Sequence, residues 1–212
     1  ISRLHDPIIN EIFGHQDDPA VPFKPQRVLA DLHSVLDPHD IVLSDVGAHK
    51  VWLARLYPSS EPNTCLISNG FASMGIALPG AIAAKLLRPR QRVVAVAGDG
   101  GGLMNIQELE TAVRLKVPFV LLVFVDGQYG LIEWKQQRRY GHATEVGFGN
   151  PDWVKLAESF GARGARVEAS NDLRPALQWA VDQDTPVVLE VPVDKRENLR
   201  LTEHLGELVC PI

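Results

Sequence analysis

Val93-Val94-Ala95-Val96-Ala97-Gly98-Asp99-Gly100-Gly101-Gly102 reads as a short apolar strand running into a glycine-rich loop, and the helix-like segment Asn105 to Lys116 follows it. Strand, glycine loop and helix in succession present backbone N–H groups to a phosphate at a helix N-terminus. This loop, however, carries a carboxylate at its centre. Asp99 would repel a phosphate unless a cation lay between them. The stretch therefore predicts a metal-bridged phosphorylated cofactor in place of a plain dinucleotide.

Working outward, the chain alternates helix and strand. Gln26–Leu36 places Val28, Leu29, Leu32, Val35 and Leu36 at helical spacing, and Asp37-Pro38 stops it. Asp40–Ser44 reads as a buried strand, Ala48–Tyr57 as a helix ended by Pro58, and Thr64–Ile67 as a short strand. Met74–Leu87 is a helix of small residues that allow close packing on a sheet. Strands Arg92–Ala97 and Pro118–Val125 flank the helix Asn105–Lys116. Then come helix Pro151–Phe160, strand Arg163–Val167, helix Asn171–Asp182 and strand Pro186–Val191. Uniformly apolar strands separated by helices predict an α/β fold: a doubly wound, mainly parallel sheet with helices on both faces. Ligands in such sheets bind at the C-terminal ends of the strands. Loops 45–49, 68–74, 98–105 and 126–130 fall at that edge.

Asp126 ends one strand as Asp99 ends another, and 27 residues separate them, the span of one strand–helix–strand unit. Neighbouring strands lie about 4.8 Å apart, so adjacent strands would bring the two carboxylates to one point. A hard divalent cation relieves their repulsion. Oxygen ligands without His or Cys favour Mg²⁺ or Ca²⁺ over Zn²⁺, and Mg²⁺ completes its shell with phosphate oxygens and water. The plainer reading makes both aspartates caps of helices or turns. A Rossmann reading fails because Gly98-x-Gly100-x-Gly102 lacks the third glycine at the required spacing. A Walker loop fails because no Gly-Lys-Ser/Thr follows.

The chain has 212 residues, enough for one large domain, and a net charge of −5, which gives no reason to expect nucleic acid or an anionic membrane as partner. No apolar run reaches membrane-spanning length. Cys65 and Cys210 stand far apart and outside any metal-ligand spacing, which leads us to expect reduced thiols in a cytoplasmic protein. Residues 1–24 lack periodicity and carry Asp17-Asp18-Pro19 and Pro22. We expect them to be a linker from a missing upstream part, followed by one domain over residues 25–212.

The glycine–aspartate loop, its helix and the strand ending at Asp126 resemble the cofactor motif of thiamine diphosphate-dependent enzymes. The resemblance strengthens with Ser68-Asn69-Gly70-Phe71-Ala72-Ser73-Met74-Gly75-Ile76-Ala77-Leu78-Pro79, which is similar to the segment beneath the cofactor's pyrimidine ring. Gln107–Arg114 and Ala157–Ala162 resemble the acetolactate synthase branch, and the catabolic type, with Asp in the second metal position, matches best. The likeness runs from Lys24 to Leu208 and covers the C-terminal, diphosphate-binding third of such an enzyme.

The resemblance implies thiamine diphosphate and Mg²⁺ as cofactors, and leaves FAD open. Asp99, Asp126 and the Gln128 carbonyl would ligate the metal. Gly98, Gly100, Gly101, Tyr129 and Gly130 would surround the diphosphate, approached by Gly47, Ala48 and His49. His49 also reads as a surface histidine at a helix start. Met74 would bend the cofactor, or serve as a core methionine; the Ala72 carbonyl would accept from the aminopyrimidine, where the family usually has glycine. Leu131 and Trp134 would wall the substrate pocket, Trp134 equally reading as a helix packing residue.

The implied reaction decarboxylates pyruvate and joins the two-carbon unit to a second 2-oxo acid. No catalytic residue is expected in this chain, because the activating glutamate belongs to missing N-terminal domains. A homodimer or homotetramer follows from a site shared between subunits. Another thiamine diphosphate-dependent decarboxylase or carboligase, or a non-catalytic domain keeping the fold, remains an alternative.

Overall fold

Six strands form one open sheet: Ile41–Ser44 (β1), Cys65–Ile67 (β2), Val93–Gly98 (β3), Val120–Val125 (β4), Arg163–Arg166 (β5) and Val187–Pro192 (β6). They are seen in a computed structural model that describes residues 10–201. All pairings are parallel, in the order β2-β1-β3-β4-β6-β5. The predicted doubly wound α/β fold is the fold found.

Successive strand residues face opposite layers. Val94 and Val96 pack with Leu29, Trp52, Leu53 and Leu177 from helices Pro25–Val35, Ala48–Leu56 and Leu173–Val181. Val93, Ala95 and Ala97 pack with Leu78, Leu109 and Trp153 from helices Ala77–Leu87, Glu108–Arg114 and Trp153–Ser159. Both faces are covered, which is why the strands carry no polar alternation. The chain leaves β1 for β2 on one side and returns to β3 on the other. Strand order thus reverses between β1 and β3, the place where an open α/β sheet leaves a crevice at its C-terminal edge.

Two boundaries differ from expectation in a way that shapes that crevice. The glycine run is a short helix, Asp99–Met104, where the sequence predicts a loop. Glycine in a helix interior costs about 1 kcal/mol relative to alanine, so a tertiary reason must hold it there. A Cβ on Gly100 would lie 2.8 Å from the Tyr129 ring, one on Gly101 2.8 Å from Asp45 Oδ1, and one on Gly102 3.2 Å from the Trp153 ring. The glycines let three neighbours approach. Asn105 caps this short helix, its amide donating to the Gly75 carbonyl at 2.9 Å, so the helix expected from Asn105 begins only at Glu108. The other helix starts at Ala77, not Met74, because Gly75 takes a left-handed φ of 87°.

Before Pro25 the chain lies on the domain: Ile12 and Phe23 are buried, and the Phe23 amide donates to Pro192 at 2.8 Å. Cys65 is a free, half-buried thiol whose pKa burial pushes up. Cys210 and Leu208 lie outside the described residues. Among the described residues no helix is long and apolar enough to cross a membrane.

Candidate functional site

A cleft of about 200 Å³ opens at the C-terminal ends of β1, β3 and β4. A single water needs roughly 10–15 Å³ on this measure, so the cleft has room for a sizeable ligand group. Of the residues singled out from sequence, Gly47, Ala48, His49, Ala72, Met74, Gly98, Asp99, Gly100, Gly101, Asp126, Gln128, Tyr129, Gly130 and Leu131 all line it. Trp134 does not. It lies half-buried against the core with the Arg138 guanidinium 5.2 Å over its ring.

Asp99 and Asp126 meet because β3 and β4 are neighbours, with Gly98 opposite Phe124. Asp99 Oδ2 accepts from the amides of Asp126 (3.2 Å) and Gly127 (2.8 Å) and from Asn150 Nδ2 (2.7 Å). Asp99 Oδ1 accepts from Gly100 N at 2.9 Å. Asp126 Oδ1 accepts from Gln128 N (3.1 Å) and its Oδ2 from Asn198 Nδ2 (2.8 Å). Both carboxylates shape turns, as the plainer reading has it. Asp99 Oδ1 and both Asp126 oxygens accept only one of these bonds each, and a carboxylate oxygen has room for two.

Burial, with the neighbouring charge of Asp99, pushes Asp126 up to about 7. Two carboxylates in one buried corner repel, and a hard cation between them relieves the repulsion. Oxygen donors of this kind suit Mg²⁺, which takes few protein ligands and keeps the rest of its shell for phosphate and water. Among the described residues no cluster of three or more His, Cys, Asp and Glu gathers as a self-sufficient metal site.

His49 is not on the surface: it is 5% exposed. Its ring lies where a Cβ on Gly47 or Gly98 would come within 2.8 Å or 3.0 Å of it, so both glycines make room for the imidazole. Its Nε2 is buried and lacks a hydrogen-bond partner. Burial, opposed by the Asp45 carboxylate, holds its pKa down at about 4, so the ring is neutral at physiological pH. A neutral imidazole at the cleft with a free nitrogen is equipped to bond a ligand. Met74 is half-buried at the cleft rather than in the core, and Ala72 adopts a left-handed φ of 50°.

Residues not assigned from sequence complete the arrangement. The Asp45 carboxylate, 1% exposed, accepts from Val46 N (2.6 Å), Gly75 N (2.8 Å) and Ala77 N (3.0 Å), and so ties the Met74 segment to the end of β1. Its signal was present: Asp45 follows β1 as Asp99 follows β3 and Asp126 follows β4. Asn150 and Asn198 reach the two central carboxylates from distant segments, with no local signal.

A family model described as "Thiamine pyrophosphate enzyme, C-terminal TPP binding domain" matches residues 45–191. The chain is 43% identical over 190 residues to an acetolactate synthase of Bacillus subtilis, an alignment covering 87% of this chain and 33% of that protein. It is 39% identical over 187 residues to a catabolic acetolactate synthase of Raoultella terrigena, covering 87% of this chain and 34% of the relative. The acetolactate synthase isozyme 2 large subunit of Escherichia coli is 34% identical over 163 residues, 75% of this chain and 29% of that subunit. The chain thus spans about a third of the length of these relatives.

Proposed function

Because this chain belongs to the thiamine pyrophosphate enzyme family, as its C-terminal TPP-binding domain, we propose that it holds the diphosphate of thiamine diphosphate through Mg²⁺ in an acetolactate synthase-like enzyme. The observation that carries the reading is the convergence of Asp99 and Asp126 on one buried corner beside the Asp99–Met104 helix. In this reading both carboxylates and the Gln128 carbonyl ligate Mg²⁺. The backbones of Gly100, Gly101 and Tyr129 face the diphosphate, while Gly98 leaves room for His49 and Gly130 for the Asn198–Asp126 contact. Gly47, Ala48 and His49 line the same cleft and approach the diphosphate from the end of β1.

Met74 and the Ala72 carbonyl shape the far end of the cleft, where the Asp45 carboxylate holds their segment. Leu131 lies toward the 2-oxo acid. Bound there, thiamine diphosphate supplies a nucleophilic carbon and an electron sink for the decarboxylation of pyruvate and its joining to a second 2-oxo acid. The chain's own work is to bind and orient. The activating glutamate, the remaining domains and self-association belong to the whole enzyme, and this chain alone is proposed not to turn over pyruvate.

Calorimetry with thiamine diphosphate on the wild type and Asp126→Ala, each with and without Mg²⁺, tests the reading. Binding is expected in the wild type with Mg²⁺ and greatly weakened in the other three samples. Equal binding in all four would remove the metal bridge from the account.

A further inference from the structure

Beyond the last residue matched by the family description, Val191, the chain turns into a short 3₁₀ segment, Lys195–Arg200, that comes back over the metal corner. Gln26 Nε2 donates to Glu197 Oε2 at 2.9 Å and Asp194 N to the Phe23 carbonyl at 2.8 Å, anchoring it to the start of the domain. From this segment the Asn198 side chain, 3% exposed, reaches inward. Its Nδ2 donates to Asp126 Oδ2 at 2.8 Å, and its Oδ1 accepts from Trp52 Nε1 at 3.1 Å.

We propose that Asn198, locked by Trp52, is the positioning residue that aims Asp126 at the divalent cation. The proposal rests on Asp126 being a metal ligand, as proposed above. An indole N–H can only donate, so the amide oxygen must face Trp52 and the NH₂ must face Asp126. The reversed amide would set donor against donor and oxygen against carboxylate. Trp52 is itself 2% exposed in the core, so the orientation is fixed from the fold's interior. Gln128 N holds the other Asp126 oxygen at 3.1 Å. The carboxylate is thus gripped at both oxygens by neutral donors, which fix its direction without cancelling the charge a metal needs. A lysine or arginine in place of Asn198 would supply the cation's charge and compete with it.

The position of Gly130 follows from the same contact. A Cβ there would stand 2.7 Å from Asn198 Nδ2 and 3.3 Å from Asp126 Oδ2. A side chain at 130 would wedge apart the pair.

The test uses the full-length protein as wild type, Asn198→Ala, Trp52→Phe and Asp126→Ala. Thiamine diphosphate binding is followed by equilibrium dialysis while Mg²⁺ is titrated, and each variant's unfolding temperature is measured without metal. Outer partners of metal ligands typically change metal affinity ~10–100-fold. Asn198→Ala is expected to raise the Mg²⁺ concentration for half-maximal binding by a factor in that range. Trp52→Phe, which keeps an aromatic ring but frees the amide, raises it by a smaller factor. A lowered unfolding temperature with an unchanged Mg²⁺ midpoint in Asn198→Ala means a purely structural residue and overturns the proposal. If Asn198→Ala does not fold, Trp52→Phe decides, and an unchanged midpoint there overturns it. An unchanged midpoint in Asp126→Ala would overturn the metal reading itself; a shifted one beside an unshifted Asn198→Ala defeats this proposal alone.

Discussion

Gly101→Ala places two effects in opposition. Residue 101 sits inside the helix Asp99–Met104, where alanine gains about 1 kcal/mol over glycine in helix propensity. Against this, the new Cβ would lie 2.8 Å from Asp45 Oδ1 and 3.2 Å from its Cγ. Asp45 has nowhere to retreat: it is 1% exposed, and the crowded oxygen already accepts from Val46 N at 2.6 Å and Gly75 N at 2.8 Å. The carboxylate must shift by several tenths of an ångström, which stretches or breaks one of those bonds. A hydrogen bond to a charged group contributes roughly 1.5–3 kcal/mol, and a buried amide left without its partner costs about as much. The clash therefore wins, for a net loss of about 2 kcal/mol. At roughly 2–4 °C per kcal/mol for a domain of this size, the unfolding midpoint falls by about 4–8 °C. Thermal unfolding followed by circular dichroism is the assay. Gly70→Ala, where a Cβ meets nothing within 4 Å, is the control and should stay near wild type. A Gly101→Ala protein as stable as wild type, or more so, would show that propensity governs this helix and that the Asp45 contact does not constrain it.

Ala72 holds a φ of 50° that favours glycine, so Ala72→Gly should stabilise the protein by about 1 kcal/mol; a lower urea midpoint would refute this. His49, held at about 4 chiefly by burial, takes no proton in the folded state until well below the ordinary 6.5, whereas the unfolded chain binds one earlier. Stability should thus fall by up to about 3 kcal/mol as pH drops from 6.5 to 4, and His49→Gln should flatten that limb in denaturant titrations against pH. Gly98→Ala, whose Cβ would press to 3.0 Å on His49 Nδ1, should weaken thiamine diphosphate binding in dialysis more than Gly70→Ala does.

Much of the site was legible because parallel α/β sheets concentrate ligands at one edge. Once Val93–Ala97 reads as a buried strand, Gly98–Gly101 must lie at its C-terminal end. Asp126 follows on the next strand by the same logic, and β3 and β4 do pair. What stayed hidden depends on contacts between segments remote in sequence. That the glycines are helical follows from Tyr129, Asp45 and Trp153 closing on positions 100, 101 and 102, which no local pattern announces. The burial of His49 follows from two glycines remote in sequence, Gly47 in the turn after β1 and Gly98 at the end of β3. Asn198 lies 72 residues from Asp126 and 146 from Trp52, so neither spacing nor periodicity points to it. Trp134 sits on an amphipathic helix where cleft and core faces lie within one turn, and only the structure sets it against the core.

The central claim is that Asp99 and Asp126 together hold a divalent cation that carries the cofactor's diphosphate. Crystals of the full-length protein grown with Mn²⁺ and thiamine diphosphate, with data collected at the manganese edge, put it to the test. The account predicts one strong anomalous peak between the two carboxylates, with the Gln128 carbonyl as a third protein ligand and diphosphate density completing the shell. Diphosphate density in the cleft with no peak at that corner, or a peak held by other residues, would contradict it.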